Sequence, residues 1–360
     1  MIGTYNISKY LQTAASTFAH PHVLNDGSWI TMGRGARGKR PYYEFIRFKS
    51  GPGANDSTVM AEQAETIARI TSNHKGGMAY FHSFGLTQNY IVYLETALKI
   101  ELKLLLKNII ANGAISDAFT MDRGFLTRVH VINRNTGEVL KQRFVTDPLF
   151  TFHHVNAYED QSSGDLVVDV SAYDAQHFDV NRLTTKDIFT PEFDGFAGFK
   201  ALARRIRVPL KKSSSGDETI HCEIKDINSQ LSFELPVINY GSYNALPYKY
   251  AYGVNIYKRP FSVVKLNVDD GKEAIEVTYT EATAGKEYLP NEPIFVPNPN
   301  GKSEDDGVLL VMVLSDANDF LSVLDARDLK ESARADVPAD IKGSFTFHGV
   351  FADKLHFPKL

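Results

Sequence analysis

Apolar residues in this chain come in short runs, many alternating with polar ones, and turn residues close each run. Trp29–Met32 and Tyr42–Phe48 read as strands, as do Asn89–Glu95, Leu166–Val170, Phe233–Ile238, Tyr248–Val254, Phe261–Val268, Glu276–Thr280, Val308–Leu314 and Leu321–Asp325. Phe125–Ile132 and Val139–Val145 form a hairpin around Asn133–Glu138. Turn chemistry separates the runs: Ser50–Ser57, Lys211–Glu218, Asp269-Asp270-Gly271-Lys272 and Pro297–Gly307 are loops. Val59–Ile70 fits a helix or a strand. The pattern predicts an all-β chain, built as a sandwich, barrel or propeller, and no exact repeat selects among these.

One stretch stands apart. Leu98-Lys99-Ile100-Glu101-Leu102-Lys103-Leu104 alternates strictly and then runs into the mostly apolar Leu105–Ala111. A strand face continuing into a hydrophobic segment accounts for this. An ordinary buried element is the simpler reading, and a monotopic membrane contact is the functional one.

Composition narrows the classes. Hydrophobic residues make up 43% of 360 and charged ones 23%, with a net charge of −4, so a folded globular chain is expected with no general pull toward nucleic acid. One cysteine, Cys222, excludes an internal disulfide framework and fits a reducing compartment. Neither a signal peptide nor an apolar stretch long enough to span a bilayer is visible, which makes a cytoplasmic location the expectation.

Gly33-Arg34-Gly35-Ala36-Arg37-Gly38-Lys39 matches the start of two phosphate-binding motifs. A phosphate cradle needs a helix N-terminus after the glycines, yet Arg40-Pro41 and an aromatic strand follow. A glycine-rich hairpin turn is the better reading, with Arg34, Arg37, Lys39 and Arg40 as its solvated tip.

Histidines carry the candidate chemistry. His82 lies between phenylalanines in Tyr80-Phe81-His82-Ser83-Phe84-Gly85, and similar settings hold His20 and His22, His153 and His154, and His348. A buried histidine needs partners for its ring nitrogens, so a satisfied core residue competes with a metal ligand at each place. Zinc-finger and H-E-x-x-H spacings are absent. Ligands so scattered converge only if several strands aim at a common axis, and an all-imidazole set suits iron(II), copper or zinc.

The chain resembles the carotenoid cleavage oxygenases, a family that also holds retinoid isomerases. The matching stretches are Ala19-His20-Pro21-His22 with Asn25-Asp26-Gly27, His82-Ser83-Phe84-Gly85-Leu86-Thr87 with Asn89-Tyr90-Ile91-Val92, and Phe152-His153-His154-Val155-Asn156-Ala157-Tyr158-Glu159. Further on come Phe233-Glu234-Leu235-Pro236, Ile238-Asn239-Tyr240, Tyr250-Ala251-Tyr252-Gly253, Glu292-Pro293-Ile294-Phe295-Val296-Pro297, Glu304-Asp305-Asp306-Gly307-Val308-Leu309 and Thr346-Phe347-His348-Gly349. They follow the family's order through almost the whole chain.

This resemblance implies a single seven-bladed β-propeller domain over residues 1–360, with Fe(II) held by His20, His82, His153 and His348. It places Glu234 and Glu292 as outer partners of ligating histidines, and His22 and His154 as neighbours of ligands. His74, His130, His177, His221 and His356 match nothing in the family and are expected to be surface or structural. Members carry a further segment ahead of the Ala-His-Pro-His stretch with a third such glutamate, so an N-terminally truncated, incomplete ring is expected. The implied activity is cleavage of a carotenoid double bond with O2 to an apocarotenal or retinal. A retinyl-ester isomerohydrolase or a non-catalytic carotenoid binder are the alternatives. The resemblance also implies that Leu104, Leu105, Leu106, Ile109 and Ile110 touch a membrane surface from which a carotenoid or retinoid is drawn.

Overall fold

The computed structural model describes residues 16–351 except 18, 39, 50–63, 181–198, 213–217, 258, 270, 272, 280–287 and 317. The expected loop Ser50–Ser57, the start of Val59–Ile70 and His356 therefore lie outside the described residues. The chain divides into two compact units, Met1–Thr184 with Arg205–Lys225, and Thr185–Arg204 with Asp226–Leu360.

In the first unit Trp29–Arg37, Arg40–Phe48 and Ala64–Thr71 form an antiparallel meander, with the short strands Ser16–Thr17 and His22–Val23 on the outer side of the first. Gly77–Ala79, Leu98–Glu101 and Phe119–Met121 make a small second sheet. Tyr90–Glu95 is central to a third, between Gly85–Leu86 and Thr127–Asn133, and Arg143–Thr146 extends it and pairs in parallel with Thr219–His221. Leu149–Glu159 and Leu166–Asp174 open a fourth, which continues through Leu202–Val208 and Glu223–Asp226. Ile30, Met32, Tyr43, Phe45, Ile91 and Tyr93 from the first and third sheets share one buried cluster with Phe84. Each such side chain contributes about 1.5–3 kcal/mol by leaving water, and Phe84→Ala would cost about 3–5 kcal/mol.

The second unit holds the sheet Glu234–Val237, Tyr250–Asn255, Ser262–Asn267 and Ala274–Thr278, and another built on Gly307–Ser315, Phe320–Asp325 and Glu331–Asp336. Lys265 is buried there because its charge is paired: Nζ lies 2.7 Å from Asp305 Oδ2 and 4.0 Å above the Tyr250 ring.

Three local expectations are corrected. The glycine-rich segment is not all turn: the strands run on to Arg37 and Arg40, with Gly33 and Gly35 buried in the ladder, and the turn falls at Gly38, whose φ of 62° suits glycine. Arg34 does not sit at the tip; it is half-buried, 5.7 Å from the Phe81 ring centre. The strand expected over Leu98–Leu104 ends at Glu101, and Leu102–Ile110 is a helix, α1. Leu102, Leu105, Leu106, Ile109 and Ile110 recur at helical spacing, and leucine and lysine favour helix, so the 3.6-residue period wins over the two-residue one.

Candidate metal centre

His20 follows the short strand Ser16–Thr17 and precedes His22–Val23. The next turn is set by Asp26, whose carboxylate accepts the N–H and the hydroxyl of Ser28 at 2.9 and 2.6 Å. His22 fixes this stretch to the core: its Nε2 meets the Phe84 carbonyl at 2.9 Å and its ring lies 4.7 Å from the Phe84 ring. The neighbouring His20 ring is thereby held over His82, with the two Nε2 atoms 2.9 Å apart.

His82 occupies the irregular stretch between Gly77–Ala79 and Gly85–Leu86. A Cβ on Gly77 would overlap the Ile100 carbonyl oxygen, so glycine is what lets this strand close on its neighbour. With Nε2 turned toward His20, Nδ1 faces the Tyr80 hydroxyl at 3.1 Å, a contact that holds the ring's orientation.

His153 comes from Leu149–Glu159. That strand pairs Thr151 with Ala172 and His154 with Val170, so Phe152 and His153 together face the single residue Ser171. Such a bulge re-aims side chains, and it separates the fates of two adjacent histidines. The His153 ring lies 5.3 Å from His20 and 4.9 Å from His82. The His154 ring turns instead to Ser83, whose hydroxyl is 2.8 Å from Nδ1 and 2.6 Å from the Phe152 carbonyl it donates to. Burial, helped by the His22 and His153 rings, pushes the His154 pKa down to about 3, so it is neutral at any ordinary pH.

One ring nitrogen from each of His20, His82 and His153 lies within 4.8 Å of the others. Two nitrogens bound at about 2.0–2.1 Å and subtending a right angle stand about 3 Å apart. The separation of the His20 and His82 Nε2 atoms matches that, so these residues fit a first-row metal held by neutral imidazoles.

In the second unit His348 and Glu292 come together, Nδ1 to Oε1 at 2.9 Å, and Glu292 Oε2 accepts the Gly349 N–H at 2.9 Å. Glu234 is 4% exposed, and its Oε2 accepts the Leu235 N–H at 2.7 Å. Leu235 adopts a φ of 49°, a left-handed conformation that costs a non-glycine residue about 1–2 kcal/mol. A ladder shift between Glu234 and Val237 accompanies it, so the backbone around this carboxylate is held in an unfavourable shape.

Of the remaining histidines, His74 and His130 are buried, while His177 and His221 are exposed. Sequence reasoning missed Tyr80, whose contact with a residue two positions on has no motif to reveal it. Among the segment expected at a membrane, Leu104, Leu106, Ile109 and Ile110 are exposed by 38, 61, 62 and 76%, whereas Leu105 packs against the core cluster. Among the described residues no helix is long and apolar enough to cross a membrane.

Residues 1–353 match the model of the retinal pigment epithelial membrane protein family. The chain belongs to that family. It is 30% identical to a protein of Macaca fascicularis named mitochondrial carotenoid-cleaving dioxygenase, over 96% of this chain and 65% of the relative. It is 31% identical to the Mus musculus β,β-carotene 15,15′-dioxygenase, over 95% of this chain and 63% of that protein. The chain thus spans just under two thirds of these relatives. A solved variant of the Synechocystis apocarotenoid oxygenase matches with a TM-score of 0.70 at 19% identity, covering 96% of this chain and 67% of that one. The all-β fold of the carotenoid oxygenase type expected from the sequence is the fold of this family member.

Proposed function

We propose that this family member cleaves a carbon–carbon double bond of a carotenoid with O2, using iron(II) held by His20, His82, His153 and His348. The observation that carries the reading is the convergence of the His20, His82 and His153 rings, with His153 brought in by the bulge in its strand. Iron(II), when bound, supplies the redox centre for chemistry between O2 and the polyene.

The chain's own residues orient and shield. Tyr80 holds the far nitrogen of His82, and Glu292 that of His348, so each imidazole presents its other nitrogen. Neutral ligands leave a metal's charge uncompensated, and the carboxylates of Glu292 and Glu234 offset it. Phe152, 5.2 Å from the His82 ring, leads into the packed rings of Phe150, Tyr173 and Phe178. These rings are packed interior behind Phe152, and they give that side of the site the apolar surroundings that suit a polyene. The exposed apolar face of α1, flanked by Lys103 and Lys107, rests on a lipid surface, where such a substrate is dissolved.

The test is iron analysis of the purified chain, then incubation with micellar β-carotene and O2 and chromatography for aldehydes. Stoichiometric iron and apocarotenal products are expected. Iron-free protein at saturating iron, or conversion of a retinyl ester to an 11-cis alcohol without aldehyde, would overturn the reading.

A further inference from the structure

Glu95 ends the strand Tyr90–Glu95 with its side chain fully buried, where a carboxylate needs donors. It has five. The Tyr43 hydroxyl, the Ser72 hydroxyl and the Asn73 N–H reach Oε1 at 3.2, 2.8 and 2.7 Å, and Asn73 Nδ2 and His130 Nε2 reach Oε2 at 2.6 and 3.0 Å. The Tyr43 oxygen in turn accepts the N–H of Ala79 at 2.6 Å. Strands from three different sheets meet on this one carboxylate and the tyrosine beside it.

Ala79 is the last ladder residue before the irregular stretch that carries Tyr80 and His82. No continuous ladder fixes that stretch, so its geometry depends on pins at its ends. On the far side the pin is Ser83, through the Phe152 carbonyl and the His154 ring. On the near side it is the Ala79 N–H on Tyr43, with Tyr80 N bonded to the Leu98 carbonyl at 2.7 Å.

We propose that Tyr43 and Glu95 are positioning residues for His82: the buried network sets where the Tyr80–His82 pair stands at the metal centre. This rests on the metal reading above. A rigid carboxylate hub holds the hydroxyl, the hydroxyl holds the backbone, and the backbone holds the ligand. Networks of this kind act as units because every member is satisfied by the next.

The test uses the full chain and Co(II) as a probe whose ligand-field spectrum reports geometry without turnover. Tyr43→Phe keeps the ring and removes the hydroxyl, and Asn73→Ala, at an exposed position, removes one donor from the same carboxylate should the first fail to fold. Both should weaken Co(II) binding by about 10-fold or less and shift its visible bands. Val208→Ala, in a separate core cluster, should lower the melting temperature with the bands unmoved. If Tyr43→Phe or Asn73→Ala lowers the melting temperature with affinity and bands as in the parent, the network is merely structural and the proposal falls. His82→Ala separates the two readings: undiminished Co(II) binding there overturns the metal assignment itself, and this proposal with it.

Discussion

Nδ1 of His348 lies 2.9 Å from Oε1 of Glu292, and the other oxygen of that carboxylate takes the N–H of Gly349. One glutamate thus fixes both the ring and the backbone beside it. Glu292→Gln keeps the shape, removes the charge and lets an amide face the ring. Metal affinity should fall about 10–100-fold, the usual cost of losing an outer partner of a ligating histidine. Isothermal titration with Fe(II) under anaerobic conditions measures it, and an affinity equal to the parent's would remove Glu292 from the metal site.

His153 and His154 are adjacent and should behave oppositely. His153→Ala should abolish stoichiometric metal with a modest change in melting temperature, because its ring belongs to the converging group. His154→Ala leaves the Ser83 hydroxyl without one partner and should cost about 1–3 kcal/mol of stability while metal is retained. Metal content and thermal melts on both variants decide this; the reverse pattern would mean that the bulge aims the other ring inward.

For α1 the expected outcome concerns lipid. Leu106 and Ile110 are among its most exposed side chains, so replacing both by glutamate should release the protein from anionic liposomes in a flotation assay. Iron content and melting temperature should stay near the parent's, since neither residue is buried. A melting temperature lowered by ten degrees or more would show that these residues are covered in the folded protein.

How much of this was legible in the sequence varied with the regularity of the backbone. Tyr90–Glu95 and Ser262–Asn267 are bounded apolar or alternating runs, and both stand within two residues of their expected limits. Leu149–Glu159 is the longest strand among the described residues, yet its two register shifts break the alternation that announces a strand. Glu331–Asp336 is exposed throughout and has no apolar face to read. In the site, sequence setting marked the neighbourhoods of His20, His82, His153 and His348, and family resemblance chose these four over His22 and His154, since setting alone does not tell a ligand from a satisfied buried histidine. The pins that hold them, Tyr80, Ser83 and Tyr43, act through irregular backbone that no periodicity encodes.

Acid should test the buried network directly. Burial alone would raise the Glu95 pKa, but hydrogen bonds from His130, Asn73 and Ser72, with the charge interaction of the His130 ring, hold it at about 2 against an ordinary 4.5. A carboxyl whose folded pKa is depressed contributes stability that is fully present above the unfolded value and is lost as pH falls through the folded one. The loss here lies between about pH 4.5 and pH 2, and at 1.36 kcal/mol per unit it amounts to roughly 3 kcal/mol. Tyr43 and Tyr93, which face the same carboxylate, stay neutral throughout, because burial raises both well above their ordinary range. Asp160 is also held low, by the Ser162 hydroxyl and then the Arg207 guanidinium, but it is partly exposed, and solvent screening makes its share of the acid loss smaller. Melting temperature followed from pH 7 to pH 2 should therefore drop most steeply below pH 4.5. Glu95→Gln should start lower at neutral pH and flatten that limb, whereas Asp160→Asn should change it little. If the Glu95→Gln protein loses stability with the parent's slope, the acid sensitivity lies elsewhere, and the carboxylate is not the charged hub described here.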